Sequence, residues 1–198
     1  MKLLKPLVFL LCLLPLVWLA VQGVGDGLGV NPIETVVRFL GDWALRFLLI
    51  ALAVTPLRRL SGWGFLARLR RMLGLFAFFY AFLHLSAYLG LDLFFDWAAL
   101  GHDIVKRRFI TVGMASVVLL LPLAVTSTQG MIRRLGGPRW RRLHRLVYLA
   151  GPLAVLHYFW MVKRDVTEPL IYGALLALML ALRLFWARKS LFAQRRTA

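Results

Sequence analysis

Long apolar runs alternate with short polar segments along this chain. A membrane-spanning helix needs about 20 mostly apolar residues, or about 17–25 when it is tilted. Six stretches meet this requirement, at approximately residues 3–21, 36–55, 72–91, 109–126, 143–161 and 169–187. The pattern predicts an all-α protein, in which residues 1–198 form a single domain built as an integral membrane bundle of six transmembrane helices.

Composition supports a membrane protein and excludes several other classes. Of the 198 residues, 61% are hydrophobic and the mean hydropathy is +0.77, whereas soluble domains are about 45–50% apolar. The net charge of +17 does not indicate a nucleic-acid partner, because cytoplasmic loops of membrane proteins collect Lys and Arg. Cys12 is the one cysteine, so a disulfide framework, an iron–sulfur cluster and a Cys/His zinc site are excluded.

The basic residues predict the orientation in the membrane. Eighteen of the 25 Lys and Arg residues fall on one side of the six predicted helices: Lys2, Lys5, Arg58, Arg59, Arg68, Arg70, Arg71, Arg133, Arg134, Arg139, Arg141, Arg142, Arg145, Arg183, Arg188, Lys189, Arg195 and Arg196. Loops rich in Lys and Arg stay in the cytoplasm, so both termini are predicted to be cytoplasmic. All eight acidic residues lie toward the other side, in agreement with this orientation.

Two histidines stand inside apolar runs, where ionisable groups are costly and usually functional. His84 lies twelve residues into the third run and His157 fourteen residues past Leu143 in the fifth. At a rise of 1.5 Å per residue, the two imidazoles lie about 18 Å and about 21 Å above the cytoplasmic ends of their helices. Two histidines at one depth on two helices predict the axial ligands of one haem iron.

Small residues accompany both histidines. Ala77 and Ala81 share the helical face of His84, and Ala154 shares that of His157. They would leave room for a flat macrocycle, although small residues also permit close helix packing. Buried structural histidines, a proton relay and another metal remain alternatives to haem.

His144 lies at the cytoplasmic mouth of the fifth run, thirteen residues before His157, or about 20 Å along a helix. Thirteen residues before His84 stands Arg71, so the pattern does not supply a second pair of histidines. His144 could ligate a second haem alone, contact a quinone or a flavin, or lie at the lipid surface. Together with Trp140 and the inner arginines, it could also hold the phosphate of FMN, although topology alone explains those arginines.

Arg46 is a cation within the second run. It lies about 15 Å above the cytoplasmic end of that helix, where a haem propionate would be a suitable counter-charge. The alternatives to a propionate contact are pairing with Asp42 four residues away, or extension of the Arg46 side chain to the surface.

Several motifs carry a family resemblance when taken together. They are GVNP at Gly29–Pro32, TPL at Thr55–Leu57, RRMLG at Arg70–Gly74, LHL at Leu83–Leu85, TSTQ at Thr126–Gln129, RRLG at Arg133–Gly136, WRRLH at Trp140–His144 with Tyr148, and HY at His157–Tyr158. On these motifs, essentially the whole chain resembles the ferric-reductase-type transmembrane domain. Within that family it is most similar to the membrane haem subunit of a bacterial methionine-sulfoxide reductase pair.

The resemblance implies a haem b electron carrier of the bacterial inner membrane. Electrons would come from the quinone pool or a cytoplasmic flavin reductase, and would pass to a periplasmic molybdopterin enzyme that repairs oxidised methionines. The family's haem ligands correspond to His84 and His157. The third ligand position of its two-haem members corresponds to His144, and Arg71 occupies the fourth. The resemblance also implies FMN binding. Alternatives are a self-contained membrane cytochrome b reductase of quinone or ferric iron, and a haem-free transporter with a histidine relay.

Overall fold

The computed structural model describes residues 3–196, with side chains for residues 3–189. Lys2, which contributes to the predicted orientation, lies outside the described residues, as do the side chains of Arg195 and Arg196. The helices are α1 (Leu4–Val24), α2 (Pro32–Ser61), α3 (Arg70–Ala87), α4 (Trp97–Lys106), α5 (Arg108–Val125), α6 (Gln129–Leu135), α7 (Gly137–Leu143), α8 (Val147–Met161) and α9 (Thr167–Arg196). The described residues contain no strand, which confirms the all-α prediction.

Each of the six predicted runs is helical, but the boundaries differ. Within the described residues, four helices are long and apolar enough to cross a membrane: Leu4–Val24, Arg70–Asp92, Arg108–Val125 and Thr167–Lys189. Helix α8 has only 15 residues because a short 3₁₀ turn at His144–Leu146 precedes it. The number of six spans and the cytoplasmic location of both termini therefore stay predictions.

Helix α2 begins four residues before the predicted start. The side chain of Asn31 accepts a hydrogen bond from the backbone N–H of Glu34, and Pro32 occupies the first helical turn. Both features favour a helix start. At the other end, Gly62 adopts the left-handed conformation with φ 74°, which glycine tolerates and which ends the helix. Hydropathy alone misses both ends because an asparagine cap and a left-handed glycine determine them.

The polar connections contain helices that the hydropathy pattern does not predict. His102 lies on one of them, α4, whose first turn is capped by the carboxylate of Asp96. Helix α3 continues into a wider π-helical turn at Tyr88–Asp92. The hydroxyl of Tyr88 in this turn donates to Asp103 on α4 at 2.6 Å, which joins the two segments.

Helix α2 packs along α3, and α5 packs along α8. Tyr80 is fully buried between these elements and α1: its hydroxyl donates to the carbonyl of Cys12 at 2.9 Å, and its ring stacks on Phe47 at 5.2 Å. The α2–α3 and α5–α8 pairs face one another, and the two histidines lie between them.

Candidate functional site

His84 on α3 and His157 on α8 face each other, with ring centres 6.1 Å apart and ring planes at 74°. The two imidazoles are thus neighbours, and their common depth in the membrane stays a prediction. A metal–imidazole bond of about 2 Å, plus about 1.1 Å from the nitrogen to the ring centre, would place two rings that share one metal about 6 Å apart. At the observed separation, His84 and His157 would be able to hold one metal between them.

A backbone carbonyl of a neighbouring helix holds each imidazole. Nδ1 of His84 lies 2.8 Å from the carbonyl oxygen of Val37 on α2, and Nδ1 of His157 lies 2.7 Å from that of Phe109 on α5. A carbonyl only accepts, so each Nδ1 carries the proton and donates it. This tautomer leaves the Nε2 lone pair of both rings for a metal, which is the usual arrangement of ligating histidines.

A glycine lies against each imidazole, one helical turn after the anchoring carbonyl. A Cβ at Gly41 would lie 3.0 Å from Nδ1 of His84, and a Cβ at Gly113 would lie 2.6 Å from Nδ1 of His157. Any larger residue would push the ring away from its carbonyl. Sequence reasoning missed both glycines, because they lie on α2 and α5 and glycine is common in membrane helices for other reasons.

The two histidines line a partly open cavity of about 380 Å³, within the range of about 300–1,000 Å³ of small-molecule sites. Its wall includes Ala77, Ala81 and Ala154, the small residues that the sequence places beside the histidines. Within the described part of the chain, no three His, Cys, Asp or Glu side chains form a group that could hold a metal ion. The donor set therefore suits a haem, whose macrocycle supplies the other ligands, better than a bare ion.

Arg46 does not line this cavity. Its Nε donates to the hydroxyl of Tyr172 on α9 at 2.9 Å, and its guanidinium lies 5.1 Å from the centre of the Trp43 ring. It borders a separate, open groove between α1 and α2. Two other arginines that sequence reasoning missed, Arg38 and Arg107, do line the cavity.

The remaining predicted site residues lie away from the histidine pair. Trp140 stacks on His144 at 3.8 Å and donates its indole N–H to the carbonyl of Thr126. The ring of His144 also contacts the hydroxyl of Ser127 at 3.4 Å and the carbonyl of Trp140 at 3.1 Å. Arg71 is exposed in the first turn of α3. The structure thus joins Trp140 and His144 in one cluster.

Comparison with known proteins agrees with this architecture. A sequence profile described as "Ferric reductase like transmembrane component" matches residues 40–155, a range that includes Gly41, His84, Gly113 and His144. The chain belongs to this family and is a multi-pass membrane protein. No solved structure matches the chain.

Relatives with higher similarity define the family more narrowly. The chain is 63% identical to a protein from Rhodospirillum rubrum over 89% of its own length and 85% of the relative's. It is 54% identical to one from Herminiimonas arsenicoxydans over 94% and 87% of the two chains, and 52% identical to one from Caulobacter vibrioides over 93% and 88%. All three carry the name protein-methionine-sulfoxide reductase heme-binding subunit MsrQ. The chain belongs to the MsrQ family.

Proposed function

We propose that this protein is a membrane electron-transfer subunit that holds haem b between His84 and His157. The observation that carries the proposal is the pair of imidazoles 6.1 Å apart, each with Nδ1 turned to a backbone carbonyl. The heme-binding subunits at 52–63% identity support the same cofactor. A haem with two imidazole ligands has no open coordination site, so it is suited to one-electron transfer and not to oxygen chemistry.

The protein's own contribution is to position the ligands and to exclude water. Val37 and Phe109 fix the imidazole tautomers through their carbonyls, and Gly41 and Gly113 let the rings approach. Leu45, Leu48 and Leu120 line the cavity, and all three are buried. Rigid ligands in an apolar wall limit rearrangement when the charge of the bound group changes, which favours fast electron transfer.

The finer assignments belong to the same proposal. The six helical runs cross the bacterial inner membrane with both termini in the cytoplasm, as the basic residues indicate. The names of the relatives support a methionine-sulfoxide reductase as partner, which we place in the periplasm as a molybdopterin enzyme. Reoxidation of the dithionite-reduced haem by the purified reductase tests that partner.

The electron donor is proposed to be the quinone pool or a cytoplasmic flavin reductase. The His144–Trp140 cluster, with the arginines around it, supports a contact with a quinone, with FMN or with a second haem on the cytoplasmic side. Trp140 and His144 have ring centres 3.8 Å apart and ring planes at 30°, and such aromatic side chains also stack on planar ligands.

The absorption spectrum of the purified full-length protein tests the haem assignment. We expect a low-spin b-type Soret band that sharpens on reduction. His84→Ala and His157→Ala should each abolish this band, whereas His102→Ala, on the exposed surface of α4, should leave it unchanged. Colourless wild-type protein from cells with ample haem would refute the proposal.

A further inference from the structure

Two arginines line the cavity beside the carbonyls that anchor the histidines. Arg38 follows Val37 on α2, and Arg107 precedes Phe109 by two residues at the start of α5. Val37 holds His84 and Phe109 holds His157. In each half of the site, the helix next to the histidine therefore supplies two groups. One is the carbonyl that anchors the imidazole, and the other is an arginine within two residues of that carbonyl.

Each arginine has an acidic partner, and its guanidinium group can still bind a further carboxylate. Arg38 forms an ion pair with Glu34 one turn earlier, and both side chains are about half exposed; such surface pairs are worth only about 0–1 kcal/mol, so another carboxylate can replace Glu34. Nε of Arg107 lies 3.1 Å from Asp103, whose other oxygen accepts from Tyr88 at 2.6 Å. Among the described residues, the two terminal nitrogens of Arg107 have no partner, which leaves them for a further acceptor.

The other charged residues on the cavity wall are acids, namely Glu34, Asp42 and Asp92. Haem b carries two propionate carboxylates, which need cationic partners away from bulk water. The acids would repel them, and Arg46 lies on a different face of α2 with its Nε bound to Tyr172. Glu34 is already paired with Arg38, so among the described residues of the cavity wall Arg38 and Arg107 suit a carboxylate better than the surroundings of Asp42 and Asp92 do.

We propose that Arg38 and Arg107 bind the two propionate carboxylates of the haem, one each, and thereby set the orientation of the macrocycle with its polar edge toward the outer end of the cavity. This assignment rests on the proposed function. It also gives Asp103 and Tyr88 a positioning role, because they hold Arg107 against the wall of the cavity.

Haem release from the full-length protein to excess apomyoglobin tests the assignment. Arg38→Gln and Arg107→Gln should each accelerate release about tenfold, since a hydrogen bond to a charged group is lost. The low-spin spectrum should persist in both, because the imidazoles are untouched. Arg108→Gln is the matched control: this neighbouring arginine is exposed and does not line the cavity, so its variant should release haem at the wild-type rate.

A second comparison changes the carboxylates of the haem. Full-length protein made under haem limitation is loaded with iron protoporphyrin IX or with its dimethyl ester, which lacks the carboxylates. We expect the ester to be released at least tenfold faster, and the double variant Arg38→Gln/Arg107→Gln to lose this discrimination. Equal release of haem and ester from the wild type, or Gln variants that behave as Arg108→Gln does, would overturn the assignment. Wild-type protein that takes up no haem would instead refute the proposed function.

Discussion

Gly113 provides a strict test of the site, because the three atoms nearest to a Cβ at this position all belong to His157. In Gly113→Ala the new Cβ would lie 2.6 Å from Nδ1, 2.9 Å from Cε1 and 3.1 Å from Cγ of that ring. Ordinary contacts between carbon atoms are about 3.5–4.0 Å, so the imidazole must move by about 1 Å. An iron–nitrogen bond of about 2 Å does not stretch that far, and the ring must tilt away from its iron or from the carbonyl of Phe109.

The cost follows from two contributions. Overpacking typically costs about 1–3 kcal/mol, and loss of the hydrogen bond to Phe109 adds about 1 kcal/mol. The sum of about 2–4 kcal/mol corresponds to haem binding that is roughly 30- to 700-fold weaker. Gly41→Ala should cost less, because its Cβ would lie 3.0 Å from Nδ1 of His84.

Haem content per chain and the ferric spectrum measure the effect. Gly113→Ala should lose most of its haem, and the remainder should shift from low spin toward high spin; Gly41→Ala should show the same change more weakly. Gly74→Ala is the matched control, since Gly74 also lies within a helix of the bundle but a Cβ there would meet nothing within 4 Å. Wild-type haem content and spin state in Gly113→Ala would refute the reasoning, as would an equal loss in Gly74→Ala.

Two further substitutions probe other parts of the molecule. Tyr80→Phe removes the hydrogen bond from α3 to the Cys12 carbonyl. In a denaturant titration it should lower the free energy of unfolding by about 0.6–1.7 kcal/mol, with an unchanged haem spectrum. Unaltered stability would contradict the role given to that bond. His144→Ala should keep the low-spin band, because His144 does not line the cavity and bonds Ser127 and Trp140 instead. Loss of that band would show that His144 supports the His84–His157 site.

The sequence predicts the histidine pair but not the groups that position it. His84 and His157 can be identified because an ionisable side chain in an apolar run is rare, and helical rise gives their depth. The anchoring groups are backbone carbonyls of Val37 and Phe109, which any residue type supplies. Only the packing of α3 on α2, and of α8 on α5, determines which carbonyls are reached.

For the arginines too, the sequence does not determine which side chains face the site. Successive residues of an α-helix are about 100° apart, so Arg38, three residues before Gly41, points within about 60° of it, whereas Arg46, five residues after, points about 140° away. Depth alone makes Arg46 a candidate partner for a propionate, beside pairing with Asp42 or extension to the surface. The face of α2 that meets His84 was needed to choose between the two arginines, and that face became evident only from the contact with Gly41.

The identity of the axial ligands is the central claim, and near-infrared magnetic circular dichroism of the ferric wild-type protein measures it directly. The account predicts the charge-transfer band of a low-spin haem with two imidazole ligands, and its loss when either His84 or His157 is replaced by alanine. A band from histidine with methionine, a high-spin haem with one histidine, or a bis-imidazole band that survives replacement of both residues would contradict it.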